Sequence, residues 1–168
     1  MSRHLPLVTA EEIAAIDAEV IAAGTPGHLL MERAGQAVWS IAAERFKAGP
    51  HTEVVFLCGK GNNGGDGFVA ARTAKRDGLE PSVILFSGES DVAGDALYHL
   101  NTARDAGVCV LTFSDLGGDA LVKTLSSTDI VFDALLGTGV RGEPKRPIRD
   151  GIEALRGNSA ARVAVDIP

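Results

Sequence analysis

The spacing of apolar and polar positions along the chain changes near residue 53. Before that point, apolar residues recur every three to four positions, as on the buried side of a helix. After it, short continuous apolar runs alternate with mixed stretches, a pattern typical of strands covered on both faces and joined by helices. The chain is therefore predicted to be an α/β protein in which two N-terminal helices precede a mostly parallel sheet between helical layers.

Two helices are predicted in the first fifty residues. Thr9 and Glu12 have the spacing of a capping box, and the first helix should stop at Gly24. Its apolar face consists of Ile13, Ile16, Val20 and Ile21. Pro26 is suited to opening a second helix that runs to about residues 49–50. The apolar stripe predicted for this helix consists of Leu29, Leu30, Ala34, Ala37, Val38, Ile41 and Ala42.

The remainder of the chain predicts five strands separated by helices. The strands are expected at residues 54–58, 82–86, 108–111, 130–132 and 163–165. The helices are expected at residues 66–76, 92–106, 116–125 and 148–155. Ligands of such sheets bind beyond the carboxyl ends of the strands. This rule points to the loop after residue 58, the loop after residue 133, and Asp166.

Composition and charge exclude several classes of function. The 168 residues, 45% of them hydrophobic, suit one soluble domain. A net charge of -6 disfavours broad binding to nucleic acid or to an anionic membrane surface. Without a leader segment or a long apolar run, the protein is expected to be cytoplasmic. Cys58 and Cys109 are expected to be buried, not paired in a disulfide.

The first Gly-rich segment, residues 59–67, contains the GxGxxG pattern of dinucleotide-binding loops. The match to a dinucleotide-binding site is incomplete, because no acidic residue closes the second strand. The segment is not a phosphate-binding P-loop either, because no Gly-Lys-Ser/Thr follows. Glycines nevertheless allow the backbone to approach a ligand, and a helix N-terminus attracts an anion. The amide oxygens of Asn62 and Asn63 suit a hard cation.

The second and third segments add a carboxylate each. Asp133 closes the fourth strand, and a Gly-Thr-Gly loop follows at residues 137–139. Three cations lie nearby, at Arg141, Lys145 and Arg146, and they indicate phosphate recognition. Asp166 closes the fifth strand, where partial desolvation is expected to raise its pKa toward the range useful for acid–base chemistry.

Taken together, these motifs resemble the N-terminal domain of the YjeF family, the NAD(P)HX epimerases. The resemblance rests on residues 62–67, 133–139 and 165–168, and on residues 30–35 of the second helix. It covers nearly the whole chain. It implies a Rossmann-like three-layer α/β/α sandwich.

The resemblance also implies an activity, a cofactor and a site. Enzymes of that family interconvert the R and S forms of hydrated NADH and NADPH, which carry a hydroxyl at C6 of the nicotinamide ring. They bind one potassium ion, for which Asn63 and Asp133 would be ligands here. Asp166 would contact the nicotinamide end and is the candidate catalytic residue. The residues implied to line the substrate are Asn62, Asn63, Gly64, Gly65, Asp66, Gly137, Thr138, Gly139, Val140, Arg141, Gly142, Glu143 and Asp166.

Partners follow from the same resemblance. A dehydratase that uses ATP or ADP, often fused C-terminally, repairs one of the two epimers. Family members commonly form homodimers, and the N-terminal helices, with Leu29, Leu30, Val38 and Trp39, are the candidate interface. The family continues past the Ile-Pro pair with a Ser that ligates potassium. Residues 1–168 are therefore interpreted as a single domain truncated at its C-terminus.

Two alternatives remain open at the level of sequence. The GxGxxG pattern alone is compatible with an NAD-dependent oxidoreductase. A non-catalytic YjeF-like module that binds nucleotides or proteins is the other alternative, but the presence of Asn63, Asp133 and Asp166 favours an enzyme.

Overall fold

A five-stranded parallel sheet forms the centre of the computed structural model, which describes residues 9–166. The strands are β1 (Val54–Cys58), β2 (Ser82–Leu85), β3 (Cys109–Thr112), β4 (Ile130–Ala134) and β5 (Ala161–Ala164). Their order across the sheet is β3-β2-β1-β4-β5, and every pair is parallel. All five predicted strands are confirmed, with ends that agree to within two residues. None of the helices within the described residues is both long and apolar enough to cross a membrane.

Helices cover both faces of this sheet. They are α1 (Ala10–Ala22), α2 (Gly27–Phe46), α3 (Asn62–Arg76), α4 (Gly94–Asp105), α5 (Phe113–Leu116), α6 (Gly118–Ser126) and α7 (Ile148–Arg156). On one face, Trp39 of α2 and Phe68 of α3 pack with Phe56 and Phe132 of the sheet. The rings of Phe56 and Phe132 stack with centroids 4.3 Å apart. The other face is covered by α6 and α7, so the predicted three-layer α/β/α sandwich is confirmed.

Position in the sheet decides how deeply each strand is buried. β1 lies in the centre, and all five of its residues are buried, as its continuous apolar run predicts. β3 and β5 are the edge strands of the described sheet, and neither has a fully buried residue. The prediction for the cysteines is therefore half right: Cys58 on β1 is buried, whereas Cys109 on β3 is exposed.

The N-terminal helices begin and end near the predicted residues, but their buried faces differ. The capping box of α1 is confirmed, since Thr9 Oγ1 accepts from the Glu12 N–H at 3.2 Å and the Thr9 N–H donates to Glu12 Oε2 at 2.7 Å. The apolar face of α1 is exposed, with Ile13, Ile16 and Ile21 each about half accessible.

For α2 the predicted apolar stripe is only partly right: Ala42 is buried and Val38 packs against the core, but most of the stripe is not buried. Its buried residues are Met31, Gly35, Trp39 and Ala42, whereas Leu29 and Ile41 of the predicted stripe are exposed. The reason is local. Gly35 lets α2 lie directly against α3, and the Trp39 indole donates to Asp77 Oδ2 at 2.8 Å. Because Trp39 is only 1% exposed, it belongs to the core and is not available to the dimer interface for which it was a candidate.

Two helices differ in extent from the prediction. α3 begins at Asn62, four residues early, so most of the predicted Gly-rich loop is the first turn of a helix. Gly64 and Gly67 serve close packing there: a Cβ would lie 1.9 Å from the Gly59 carbonyl oxygen and 2.7 Å from Cys58 Sγ, respectively. The helix predicted at 116–125 is two helices, because Gly117, with φ of +78°, separates α5 from α6.

Candidate functional site at the carboxyl edge of the sheet

The three segments singled out in the sequence meet at the carboxyl edge of the sheet. The first turn of α3 follows β1, and Asp133 lies in the neighbouring strand β4, paired in register with Leu57 on one side and Ala164 on the other. Asp166 follows β5. The pairing of β5 with β4 continues one residue past the strand, because the Val165 N–H donates to the Asp133 carbonyl at 3.0 Å. Ile167 and Pro168 of the same motif lie outside the described residues.

Asn63 presents a buried oxygen that no described residue satisfies. Its side chain is only 9% exposed, and Nδ2 donates to the Leu136 carbonyl at 2.7 Å. Oδ1 is buried and has no hydrogen-bond partner among the described residues. An unpaired buried amide oxygen costs about 1–3 kcal/mol, so this position favours a cation or donor that fills the gap. Its neighbour Asn62 is exposed.

Asp133 is half-buried at the end of β4. Burial raises the pKa of its carboxyl, while the Leu135 N–H and the charge of Arg162 act in the opposite direction. The contact to Leu135 is a hydrogen bond of 3.2 Å to Oδ1. The carboxylate is therefore more costly to ionise than an ordinary aspartate, and a cation beside it would lower that cost.

Gly137 joins the second segment to the other two. A Cβ at this position would lie 2.8 Å from Asp166 Oδ2 and 3.3 Å from Asn63 Cβ. Asp166 Oδ2 also accepts from the Thr138 N–H at 2.8 Å. The absence of a side chain at residue 137 is thus what allows the loop after β4 to contact α3 and Asp166 together.

Asp166 differs from the prediction in one respect. Its side chain is exposed, so the partial desolvation expected from an apolar strand is wrong. The reason is that β5 is an edge strand, and in the described part of the chain nothing covers its end. The carboxylate is held in place by the Thr138 N–H, not by burial.

Asp66 was expected only to line the site, but it has the most perturbed carboxyl there. Burial raises its pKa to about 7, with further contributions from the charges of Asp166 and Asp17. Its side chain accepts no hydrogen bond from a described residue. The contribution of Asp17 was missed in the sequence, because it depends on how α1 is placed near the start of α3.

The loop that follows Gly137 is open to solvent. Residues 138–143 are exposed, in keeping with a segment that binds a ligand through its backbone. Of the three predicted phosphate-binding cations, Arg146 forms an ion pair with Asp150 of α7 at 3.2 Å. Arg141 and Lys145 are exposed and make no ion pair within residues 9–166.

No cluster of three or more His, Cys, Asp or Glu side chains is found within residues 9–166. The site offers one buried amide oxygen, from Asn63, and one carboxylate, from Asp133. Such oxygen donors suit hard cations.

Comparison with known proteins identifies the family. Residues 27–168 match the family described as "YjeF-related protein N-terminus". The chain belongs to this family. The resemblance noted from the motifs is therefore confirmed, and the matched range of the YjeF-related domain includes every residue of the candidate site. Asp17, which acts on Asp66 only through its charge, lies before that range.

Relatives of the YjeF-related domain bear two kinds of name. The NAD(P)H-hydrate epimerase of Rhodopirellula baltica is 36% identical over 98% of this chain and 66% of its own length. That of Pirellula staleyi is 36% identical over 86% of this chain and 63% of its own length. The bifunctional NAD(P)H-hydrate repair enzyme Nnr of Escherichia coli K12 is 37% identical over 83% of this chain. The chain covers only 25% of that longer protein.

A solved structure supports the fold of the YjeF-related domain. The crystal structure of yeast ynu0, YNL200c, aligns with a TM-score of 0.83 and 26% sequence identity. The alignment covers 98% of this chain and 71% of the yeast chain. The chain thus spans roughly two thirds of the single-function relatives and about a quarter of the E. coli bifunctional relative.

Proposed function

We propose that the protein is an NAD(P)H-hydrate epimerase that interconverts the R and S forms of hydrated NADH and NADPH. The observation that carries the proposal is the meeting of Asn63, Gly137 and Asp166, which brings an unpaired amide oxygen and a carboxylate to one place. Relatives named for this reaction, at 36% identity over most of the chain, support it. A non-catalytic scaffold would have no need of an unpaired buried oxygen, which lowers stability.

Potassium is the proposed cofactor. Asn63 and Asp133 would hold it, because Oδ1 of Asn63 is buried without a partner and burial disfavours the charged form of Asp133. A cation would relieve both costs at once. When bound, potassium would supply positive charge that orders the loops and attracts phosphate oxygens. It is a weak Lewis acid, so no bond-breaking role is assigned to it.

The nucleotide would be held mainly by backbone groups. The first turn of α3 offers unpaired N–H groups and the positive end of the helix dipole, which suit a pyrophosphate. Residues 137–143 form an open loop beside it. Arg141 and Lys145 are exposed and without ion pairs within residues 9–166, so they are available to phosphate oxygens.

The chemistry at C6 requires one proton donor and one acceptor. C6 is bonded to ring nitrogen N1, whose lone pair forms a C6–N1 double bond as the C6–O bond breaks. The departing oxygen takes the C6–O electron pair and a proton, and leaves as water. A second water adds to the opposite face of C6, the double-bond pair returns to N1, and the added water loses a proton. Asp166, held by the Thr138 N–H, is the candidate acid–base group.

The test is an epimerisation assay with purified S-NADPHX. Appearance of the R form would be followed by chromatography in potassium and in sodium buffer. We expect conversion faster than the spontaneous rate, and faster in potassium. Asp166→Asn should reduce the rate by about 10²–10⁴-fold and leave nucleotide binding largely intact. Asp119→Asn, at an exposed position of α6, is the matched control.

Three outcomes of the assay would contradict the proposal. Wild-type rates equal to the spontaneous rate would argue against an epimerase. Equal loss of binding and activity in Asp166→Asn would make Asp166 a binding residue. Hydride transfer to an NAD-linked substrate would favour the oxidoreductase instead.

We also propose a homodimer and a dehydratase as partners. Ile13, Ile16 and Ile41 lie on exposed faces of α1 and α2, and a second copy would cover them. Fusion with a second activity in the bifunctional relatives supports a dehydratase that consumes one epimer. Light scattering of the wild type and of Ile41→Glu tests the dimer: the variant should be monomeric, and a monomeric wild type would refute it.

A further inference from the structure

Epimerisation at C6 places two demands on acid–base groups that one side chain meets poorly. The oxygen leaves from one face of the ring and the new oxygen arrives at the other. A single carboxyl would have to serve both faces and change its protonation state between the two events. Two carboxyls in different positions, sharing one proton, meet these demands without moving.

The structure supplies a second carboxyl beside Asp166. Asp66 extends from the second turn of α3, and its side chain is half-buried and accepts no hydrogen bond from a described residue. α2 packs directly behind it, since a Cβ on Gly35 would lie 2.5 Å from the Asp66 carbonyl oxygen. Asp166 approaches from the loop after β5 and is held by the Thr138 N–H at 2.8 Å. Asp66 lies three residues after Asn63 on α3, and Gly137 lies against both Asn63 and Asp166. The two carboxyls therefore reach the same site from different elements.

From this arrangement we infer that Asp66 is a second catalytic acid–base residue, which shares one proton with Asp166 during epimerisation. The inference rests on the proposed epimerase function. In one direction the Asp66 carboxyl gives its proton to the departing oxygen, which leaves as water with the C6–O electron pair. A water then adds to C6, the C6–N1 π pair returns to N1, and the proton of that water goes to the Asp166 carboxylate. The reverse direction starts from the product form, with Asp166 protonated and Asp66 ionised.

Electrostatics agree with these roles. Burial, then the charge of Asp166, then that of Asp17, raise the pKa of Asp66 to about 7, so Asp66 holds a proton near neutral pH. Asp166 is exposed, and its Oδ2 accepts a hydrogen bond from the Thr138 N–H. The positive end of the α3 dipole acts in the opposite direction, but its effect falls off within the first turn, and Asp66 is the fifth residue of the helix.

Several other charged groups on the elements packed against α3 are paired or buried, and Asp133 of β4 is half-buried with its Oδ1 accepting from the Leu135 N–H. Glu32 of α2 forms an ion pair with Arg72. His99 of α4 is buried, and burial lowers its pKa, which favours the neutral ring. Asp95 of α4 lies against Gly27 at the start of α2. Asp17 and Asp166 are therefore the charges expected to control Asp66.

The experiment measures kcat and KM for S-NADPHX between pH 5 and 9 in the wild type, Asp66→Asn, Asp66→Glu and Asp17→Asn. Asp66→Asn should lower kcat about 10²–10⁴-fold with little change in KM, and Asp66→Glu should restore part of it. The wild-type profile should be bell-shaped, with its upper limb near pH 7. Asp17→Asn removes a like charge, so it should move that limb to lower pH and leave the maximum rate unchanged.

Asp119→Asn, on the opposite face of the sheet, is the matched control and should leave the profile in place. Thermal unfolding of each variant establishes that it is folded. The inference is overturned if the wild type is active and Asp66→Asn keeps its kcat, or if Asp17→Asn and Asp119→Asn give the same profile. A wild type without activity overturns the proposed function itself, which is a different result.

Discussion

Gly35 is the position where a single methyl group should disturb both the fold and the candidate site. A Cβ built there lies 2.4 Å from Val69 Cβ, 2.8 Å from Val69 Cγ1 and 2.5 Å from the Asp66 carbonyl oxygen. Carbon atoms in contact are ordinarily ~3.5–4.0 Å apart. All three atoms belong to the backbone or to a β-branched side chain, neither of which can rotate away. In Gly35→Ala, α2 must therefore move from α3 by about 1 Å.

The expected magnitude follows from two opposing effects. Overpacking a close contact costs about 1–3 kcal/mol. Replacing Gly by Ala inside a helix stabilises the helix by about 1 kcal/mol. The free energy of unfolding should therefore fall by up to about 2 kcal/mol, or ~2–4 °C in Tm for each kcal/mol at this chain length. Displacement of Asp66 by a similar distance should also lower the epimerisation rate, by up to about 10²-fold.

Urea unfolding and the S-NADPHX assay measure both effects. Gly118→Ala is the control, because Gly118 is also helical but has nothing within 4 Å of its added Cβ. That variant should be as stable as the wild type, or more so by up to about 1 kcal/mol, with unchanged activity. If Gly35→Ala unfolds at the same urea concentration as Gly118→Ala, the close packing of α2 on α3 is refuted.

Three further predictions concern the core, the titration of the site and the cation. Phe132→Ala should lower the free energy of unfolding by about 3–5 kcal/mol in urea, because the ring is fully buried and stacked on Phe56; a loss below about 1 kcal/mol would contradict this. Between pH 4 and 7 the folded protein holds a proton on Asp66 that the unfolded chain releases, so wild-type stability should fall as pH rises. At pH 8 Asp66→Asn should be the more stable protein, by at most about 4 kcal/mol, and a pH-independent Tm difference would be evidence against it. Potassium chloride should raise the Tm of the wild type above that in sodium chloride but not that of Asn63→Ala, and equal Tm values in the two salts would argue against a potassium site.

The sheet and the location of the site were accessible from sequence, because they depend on local patterns. The apolar run at residues 54–58 indicates a strand covered on both faces, as observed for β1, and parallel strands bring their carboxyl ends to one edge. Asn63, Asp133 and Asp166 were placed at that edge on this basis. The start of α3 was missed because a run of glycines in sequence indicates a loop, whereas here the glycines allow a helix to pack against β1 and β4.

The buried face of α2 and the exposure of Asp166 could not be predicted from local sequence patterns. Hydrophobicity favoured Leu29 and Ile41 for the core, but Gly35 and Trp39 are buried instead. Gly35 allows α2 to approach α3 closely, and the Trp39 indole donates a hydrogen bond to Asp77. These two contacts, more than the amount of apolar surface, decide which face of α2 is buried. Exposure of Asp166 and of Cys109 depends on which strands form the sheet edges. Strand order is a non-local property, and no local pattern encodes it.

The contacts between α2 and α3 suggest a function for the motif at residues 30–35. Three of its residues contact α3: Met31 lies over Gly65, Glu32 forms an ion pair with Arg72, and Gly35 lies against the Asp66 backbone. None of them is at the carboxyl edge of the sheet, so none is expected to touch substrate. Their common effect is to fix α3 along its length, and with it the depth at which the Asp66 carboxyl is buried. Because that depth is the largest contribution to the raised pKa of Asp66, a motif remote from the ligand would set the protonation state on which the proposed chemistry depends.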